Sequence, residues 1–400
     1  MRRGARVLRL ERETPPAWWP RFRGGPRDAR TVVVLGRWLG AGMAVCLVTG
    51  LISHLLQTPP GWLAPQLPTR PVWGYRVSQG LHVATGLALV PVLLAKLWSV
   101  YPRLFAWPPV RSVRHGLARA SVAVLVAAAL LEVVLGAVNI VGWYPWPFSF
   151  RRVHWALAWV LAGALLVHLA VVAPVVVAHW RRARAGDAGD AGEFAGERRS
   201  LLRGVGAAAA TVTAVTAGQT FPPLRDLTLL APRHPDHGPQ GLPVNRTAAQ
   251  AGLSEAELSP SVWRLTVTGP RGFTVSLAEL RAMPQHTARL PIACVEGWSA
   301  DAEWTGVRLA ELLRRAGAAE GSPVRVVSLQ QRGSFGVTEM PGPYAWDPLT
   351  LLALRLNGEV LSLDHGFPAR VIAPNRPGVC QTKWVGRLEP AGPAGGEADR

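Results

Sequence analysis

The chain has 400 residues, of which 49% are hydrophobic and only 17% charged, and it carries a formal net charge of +18. The basic residues are nearly all Arg, with Lys96 and Lys383 the two lysines; no aromatic-rich basic strand or zinc-finger spacing accompanies them, so nucleic acid is not an expected partner. Three widely spaced cysteines (Cys46, Cys294, Cys380) without a C-x-x-C pair exclude a disulfide framework.

The apolar residues concentrate before residue 220, as in a membrane protein. Residues 1–30 are Arg- and Pro-rich with no apolar run, and are expected as a basic cytoplasmic segment rather than a cleaved signal. Residues 31–180 then supply four runs long enough to span a bilayer: Trp38–Leu56, Val77–Ala95, Ala120–Trp143 and Val153–His179. Residues 181–200, with the Gly/Ala/Asp-rich run Ala185–Gly192, are expected as a cytoplasmic linker. A fifth, Ala/Thr/Gly-rich span is expected within 201–221. Ten Arg precede the first run, five basic residues separate the second from the third, and six separate the fourth from the fifth. The other two connections hold two each. This bias places the N-terminus in the cytoplasm and, after five spans, the C-terminal part outside.

Residues 222–241 read as a Pro-rich linker in which His234 and His237 are solvated loop residues. From 242 to 390 the composition is that of a soluble domain, followed by a tail at 391–400. Val262–Val267 and Val324–Ser328 are expected strands, and Val307–Ala316 an expected helix with Leu309, Leu312 and Leu313 on its inner face. The expected fold is therefore an α-helical membrane bundle, four helices plus one further anchor helix, followed by an α+β domain.

Four histidines lie inside the strong spans: His54, His82, His154 and His168. Polar side chains in lipid are costly and mark function by default. His154 and His168 are 14 residues apart on one helix, near the same face and about 21 Å apart along the axis, a workable separation for haems stacked across a bilayer. Residues 31–180 resemble the four-helix b-type cytochrome subunits of membrane dehydrogenases. The segment Gly80-Leu81-His82-Val83-Ala84-Thr85-Gly86 adds to this, since small residues let a macrocycle approach. By depth, His82 and His154 are expected to share an outer haem b, with His54 an alternative partner. His168 faces the inner side, where no histidine near Leu35–Trp38 answers it and His115 is shallow. The other reading is that these histidines only bond between helices. Glu132, in mid-span, is either a structural partner or part of a proton path or haem surround.

Cys294 ends a probable strand in Leu290-Pro291-Ile292-Ala293-Cys294-Val295-Glu296-Gly297-Trp298, and Trp304-Thr305-Gly306 follow. A thiolate at a strand end beside Gly and Trp suits a soft metal from which water is excluded; a lone buried Cys is the bland alternative. Around it, in order, stand Val244-Asn245-Arg246-Thr247, Asp364-His365-Gly366-Phe367-Pro368-Ala369-Arg370, Ala373-Pro374-Asn375-Arg376-Pro377-Gly378 and Gln381-Thr382-Lys383-Trp384. Residues 242–390 resemble the molybdopterin-binding domain of the sulfite oxidase family. Cys294-Val295-Glu296 with Trp298 is most similar to its bacterial methionine-sulfoxide reductase branch, which works with a haem membrane subunit.

The resemblance implies Cys294 as molybdenum ligand. It implies pterin or phosphate contacts at Asn245, His365, Arg370, Gln381, Thr382 and Lys383. Cys380 stands where sulfite oxidases often carry Arg, a role Arg376 can take over. Arg332 and Tyr344 are candidates for contacting substrate, and no further family domain is expected after Glu389. Glu197-Arg198-Arg199-Ser200-Leu201-Leu202-Arg203 resembles an internal twin-arginine export signal, and equally fits a plain positive-inside flank.

The expected function is a membrane-bound oxidoreductase. It would perform two-electron chemistry at molybdenum on a small substrate outside the membrane, and pass electrons through haem b to quinone or another redox partner. The alternatives are an inert electron-transfer or anchoring protein, and a haem-free anchored molybdoenzyme.

Overall fold

The computed structural model describes residues 29–184, 195–229, 233, 237–333 and 335–391. The expectations for residues 1–28, Ala185–Gly192, His234 and 392–400 lie outside the described residues. Five long helices open the chain: α1 (Ala29–Gln57), α2 (Gly74–Leu104), α3 (Val113–Val141), α4 (Phe150–Arg184) and α5 (Ala195–Ala217). Each contains a stretch long and apolar enough to cross a membrane. α4 runs on through Arg184. α5 begins at Ala195, so Arg198 and Arg199 sit in a helical first turn rather than in the irregular stretch expected there.

The chain divides into two compact units. The first is Met1–Ala44, Gly86–Asn139 and Tyr144–Val212; the second is Val45–Thr85, Ile140–Trp143 and Thr213–Arg400. In the first, Leu35, Val92 and Val205 form a small buried cluster between α1, α2 and α5. Gly42 lets α1 approach α2 closely, since a Cβ there would fall 2.5 Å from a Leu89 methyl. Many large apolar side chains of these helices stay exposed, including Val48, Leu166 and Val171. Such a surface suits lipid rather than water.

In the second unit two five-stranded sheets carry the C-terminal part. The first has the order β2 (Phe273–Ser276), β1 (Arg264–Val267), β10 (Val385–Pro390), β5 (Val324–Ser328), β6 (Val337–Met340). Among the described residues only β1 and β10 pair in parallel, Thr266 opposite Arg387. The second sheet runs β3 (His286–Ala293), β4 (Ser299–Arg308), β7 (Leu351–Leu356), β8 (Glu359–Val360), and β9 (Arg370–Ile372) also pairs with β7. The helices here are short: α6 (Ala248–Ala251), α7 (Leu277–Ala282), α8 (Leu309–Arg315) and α9 (Gly342–Ala345). α7 opens on a capping box between Ser276 and Glu279 and buries Leu277 and Leu280.

The main core gathers Trp263, Leu265, Leu280, Leu309, Leu313 and Val326, and Leu67 from the α1–α2 loop joins it. The helix expected at Val307–Ala316 starts only at Leu309. Val307 and Arg308 pair with Leu352 and Leu351 and complete β4, because strand pairing outweighs the helical pattern of that stretch. The strand expected from Val262 begins at Arg264.

Candidate active site

β3 ends at Ala293, and Cys294–Trp298 forms the turn into β4. The Cys294 amide donates to the Trp298 carbonyl at 2.9 Å and the Gly297 amide to the Cys294 carbonyl at 3.1 Å. Gly297 sits at φ +96°, where a side chain would be strained. Cys294 is buried among Ile292, Trp298 and Ala300. Asn245, just before α6, donates its Nδ2 to the Cys294 Sγ at 3.6 Å. Two residues on, Glu296 is buried, pairs with Arg233 at 2.7 Å, and accepts from Trp298 Nε1 at 3.3 Å. Burial, reinforced by the Glu296 charge, pushes the Cys294 thiol up to about 12. Burial also raises Glu296 above the usual carboxylate range.

Beside this turn lies a buried basic cluster. Arg370, at the start of β9, donates Nη1 to the His365 carbonyl at 3.1 Å and Nη2 to the Gln381 carbonyl at 3.4 Å. His365 donates Nε2 to the Pro239 carbonyl at 2.8 Å, and burial lowers it to about 4. Lys383 Nζ donates to the carbonyls of Arg246 and Asp364 at 2.7 and 2.8 Å, and burial lowers it to about 7. Thr382 bonds Thr338 through their hydroxyls at 2.6 Å. Gln381 donates Nε2 to the Arg376 carbonyl at 2.8 Å. A Cβ on Gly378 would fall 2.8 Å from the Ala293 carbonyl oxygen, so the 375–381 loop runs directly past the Cys294 turn.

Asn245, Cys294, His365, Arg370, Gln381, Thr382 and Lys383 therefore belong to one neighbourhood. Arg376 lies in it too: its Nε donates to the Cys380 carbonyl at 3.0 Å, and its guanidinium stacks 5.3 Å from the Tyr344 ring. Tyr344 is buried, which pushes it up to about 12, and its hydroxyl donates toward the Asn375 and Pro68 carbonyls at 3.4 Å. Arg332 is exposed and tied through its amide to the Ala251 carbonyl. Sequence reasoning missed Arg233, Gln79, Tyr75 and the structural use of Asn375. Gln79 alone left a signal, a polar residue one turn before His82 at the head of an apolar run.

The helical histidines are placed separately. In the second unit His82 Nδ1 lies 3.0 Å from the Cys46 carbonyl and 3.2 Å from the Thr49 hydroxyl, both on α1. Its ring packs over Gly50, where a Cβ would fall 3.0 Å from Cε1. His54 is half-buried in the last turn of α1. In the first unit His154 Nδ1 lies 2.6 Å from Glu132 Oε2, and its ring stacks on Phe150 at 5.1 Å. His168 is half-buried on α4.

The residues near Cys294 suit an anionic cofactor. Among the described residues, Arg370 Nε and Gln381 Oε1 are buried polar atoms without a partner, and buried polar groups are normally satisfied. No group of three or more His, Cys, Asp or Glu that would hold a metal alone occurs among the described residues.

Residues 252–392 match the family model described as the oxidoreductase molybdopterin binding domain. The C-terminal half of the chain thus carries a molybdopterin-binding oxidoreductase domain. It is similar to mitochondrial sulfite oxidase of Rattus norvegicus, 29% identical over 165 residues, which are 34% of this chain and 30% of that protein. It is also similar to the protein-methionine-sulfoxide reductase catalytic subunit MsrP of Burkholderia mallei, 32% identical over 148 residues, 33% of this chain and 44% of that one. Among solved structures, the sulfane dehydrogenase SoxCD of Paracoccus pantotrophus matches at 27% identity over 34% of this chain and 39% of that chain, with a TM-score of 0.31. The chain spans less than half the length of each of these relatives.

Proposed function

We propose that the chain is a membrane-bound molybdopterin-dependent oxidoreductase acting on a small oxo-donor or oxo-acceptor substrate. The observation that carries this reading is the buried Cys294 thiol under the Asn245 amide, next to a buried basic cluster with unsatisfied polar atoms. Cys294 is the metal thiolate. Its thiol keeps its proton while buried and free, and a bound metal cation removes it. Asn245 donates toward the sulfur and steadies that charge. Arg370 and Lys383 hold the anionic side of the pterin, with Gln381, Thr382 and His365 fixing their orientation. Arg376 serves beside Cys380. When bound, the cofactor supplies two-electron oxygen-atom exchange between substrate and water. The names of the relatives make sulfite and sulfoxides the first substrates to try.

The membrane part is proposed to bind a b-type haem through His82 and His154, with His54 the alternative to His82 and His168 serving a second haem. Support comes from the ring geometry. A ligating imidazole commonly donates one N–H to a carbonyl or carboxylate while the other nitrogen faces the metal; His82 Nδ1 lies at the Cys46 carbonyl, and His154 Nδ1 lies 2.6 Å from the Glu132 carboxylate. Quinone is the proposed redox partner. The N-terminus is proposed to lie in the cytoplasm and the molybdopterin domain outside, exported through the Arg198–Arg199 signal. The same contacts also favour a second reading, in which His82 ties α2 to α1 and His154 ties α4 to α3 without haem. Metal analysis and an absorption spectrum of one full-length sample, from a host that makes both cofactors, separate the readings. Molybdenum with a Soret band is expected. Molybdenum without a Soret band leaves the haem-free enzyme, and absence of molybdenum overturns the proposal.

A further inference from the structure

The Cys294 turn is held by α2 as well as by its own sheet. Gln79 of α2 donates Nε2 to the Val295 carbonyl at 3.2 Å. Gln79 is itself buried, and its Oε1 accepts from Ser53 Oγ of α1 at 2.8 Å. Gln57 Nε2 in turn donates to Ser53 Oγ at 3.0 Å. One turn further along α2, Val83 packs against the same loop: a Cβ on Gly297 would fall 3.0 Å from both Val83 methyls. The positive φ of Gly297 and this contact together bring the turn's backbone against the helix.

The other cofactor loop is held by the same segment. The Tyr75 amide donates to Asn375 Oδ1 at 2.6 Å, and Asn375 Nδ2 donates to the Pro68 carbonyl at 2.7 Å. Cys380 Sγ lies 3.7 Å from the Gln57 carbonyl. Between these points Arg70 makes a two-pronged pair with Asp347 at 2.8 and 3.2 Å. Residues 53–83 thus touch both loops that flank Cys294, the 294–297 turn and the 375–380 stretch. A loop that served only as an anchor would not need a buried amide aimed at the carbonyl next to the thiol.

We propose that the segment from Ser53 to Val83 is a wall of the cofactor site and that Gln79 is the positioning residue that fixes the metal-ligating turn. This rests on the proposed role of Cys294 as a molybdenum ligand. A backbone carbonyl one residue from the thiolate sets the orientation of the Cys294 side chain. Its hydrogen bond to Gln79 therefore tunes the metal–sulfur contact from outside the ligand set, as groups beyond the ligands commonly do.

The test uses full-length protein from a host that makes the cofactor, as wild type, Gln79→Met, Gln79→Leu, Ser53→Ala and Cys294→Ser. Three quantities are read: molybdenum per chain, the thiolate-to-molybdenum absorption band, and the rate of molybdenum release on dilution. Gln79→Met and Gln79→Leu lack the donor. Each is expected to shift the band and release molybdenum about fivefold faster, the equivalent of one net hydrogen bond. Ser53→Ala removes the hydroxyl from which Gln79 Oε1 accepts, and is expected to shift the band and the release rate in the same direction but by less than the Gln79 variants. If both Gln79 variants keep the wild-type band and rate, the positioning role is overturned while Cys294 remains the ligand. Wild type without molybdenum, or Cys294→Ser with an unchanged thiolate band, overturns the ligand assignment beneath it.

Discussion

The guanidinium carbon of Arg370 lies 5.0 Å over the ring of Trp304, and both side chains are buried. Desolvation lowers Arg370 to about 10, and among the described residues no carboxylate is paired with it. A buried cation held only by two backbone carbonyls and a ring is costly. Its natural complement is an anion brought by a ligand.

Arg370→Met is therefore expected to separate folding from cofactor binding. Losing the two carbonyl contacts costs about 1–3 kcal/mol each, and removing a buried charge returns a comparable several kcal/mol. The melting temperature of the cofactor-free protein should move little, whereas molybdenum content after expression should collapse. A variant that keeps its molybdenum while its melting temperature falls sharply would make Arg370 a folding residue instead.

His365 gives a pH signature. Burial lowers it from 6.5 to about 4, so it stays neutral in the fold. Between those values the unfolded chain binds a proton that the folded chain refuses. Stability therefore falls as pH drops from 6.5 toward 4, by on the order of 3 kcal/mol in all, and is unaffected by this group above 6.5. Thermal melts of the cofactor-free protein across that window should show a steep acid-side loss that His365→Gln flattens. Parallel curves for the two proteins would contradict the assignment.

Some of this was readable from residue patterns and some was not. The five helices follow from uninterrupted apolar runs. The Cys294 turn follows from a β-rich run broken by Glu296-Gly297. The grouping of Asn245 with Cys294 could be anticipated only through resemblance, because no local rule links residues 49 apart. The contacts of Asn375 with Pro68 and Tyr75 span some 300 positions and left no trace in composition or periodicity. Arg233 was hidden in a Pro-rich stretch that reads as linker, yet it pairs with Glu296 beside the thiol. The start of α8 was misplaced for a different reason, since Val307 satisfies both a helical pattern and a strand pairing, and only the neighbouring β7 decides between them.

Glu132 tests the haem proposal. Its Oε2 lies 2.6 Å from His154 Nδ1, while its Oε1 is buried without a hydrogen-bond partner among the described residues. If His154 is an axial ligand, Glu132→Gln should weaken haem binding about 10- to 100-fold, the usual cost of losing a group that orients a ligating imidazole. His82→Ala and His154→Ala should each abolish the low-spin spectrum. Haem titrations that are unchanged in Glu132→Gln, or a spectrum lost in His54→Ala but kept in His82→Ala, would contradict the proposed ligation.

Topology is tested by reporters. A fusion after Gly392 is expected to report from outside the cytoplasm, and changing Arg198 and Arg199 to Lys is expected to block that export. A cytoplasmic signal from the unmutated chain would remove both the orientation and the export route. Export undiminished in the double variant would leave Arg198 and Arg199 as ordinary flanking charges.

The central claim is that Cys294 carries the metal on which turnover depends. The most direct measurement compares wild type and Cys294→Ser, purified alike from a host that makes the cofactor, for molybdenum content and for oxygen-atom transfer with sulfite and with a sulfoxide. Serine replaces a soft ligand with a hard, poorly ionised one. The account predicts molybdenum and turnover in the wild type, and a folded variant that does not turn over. Full activity in the variant, or wild-type protein free of molybdenum, would contradict it.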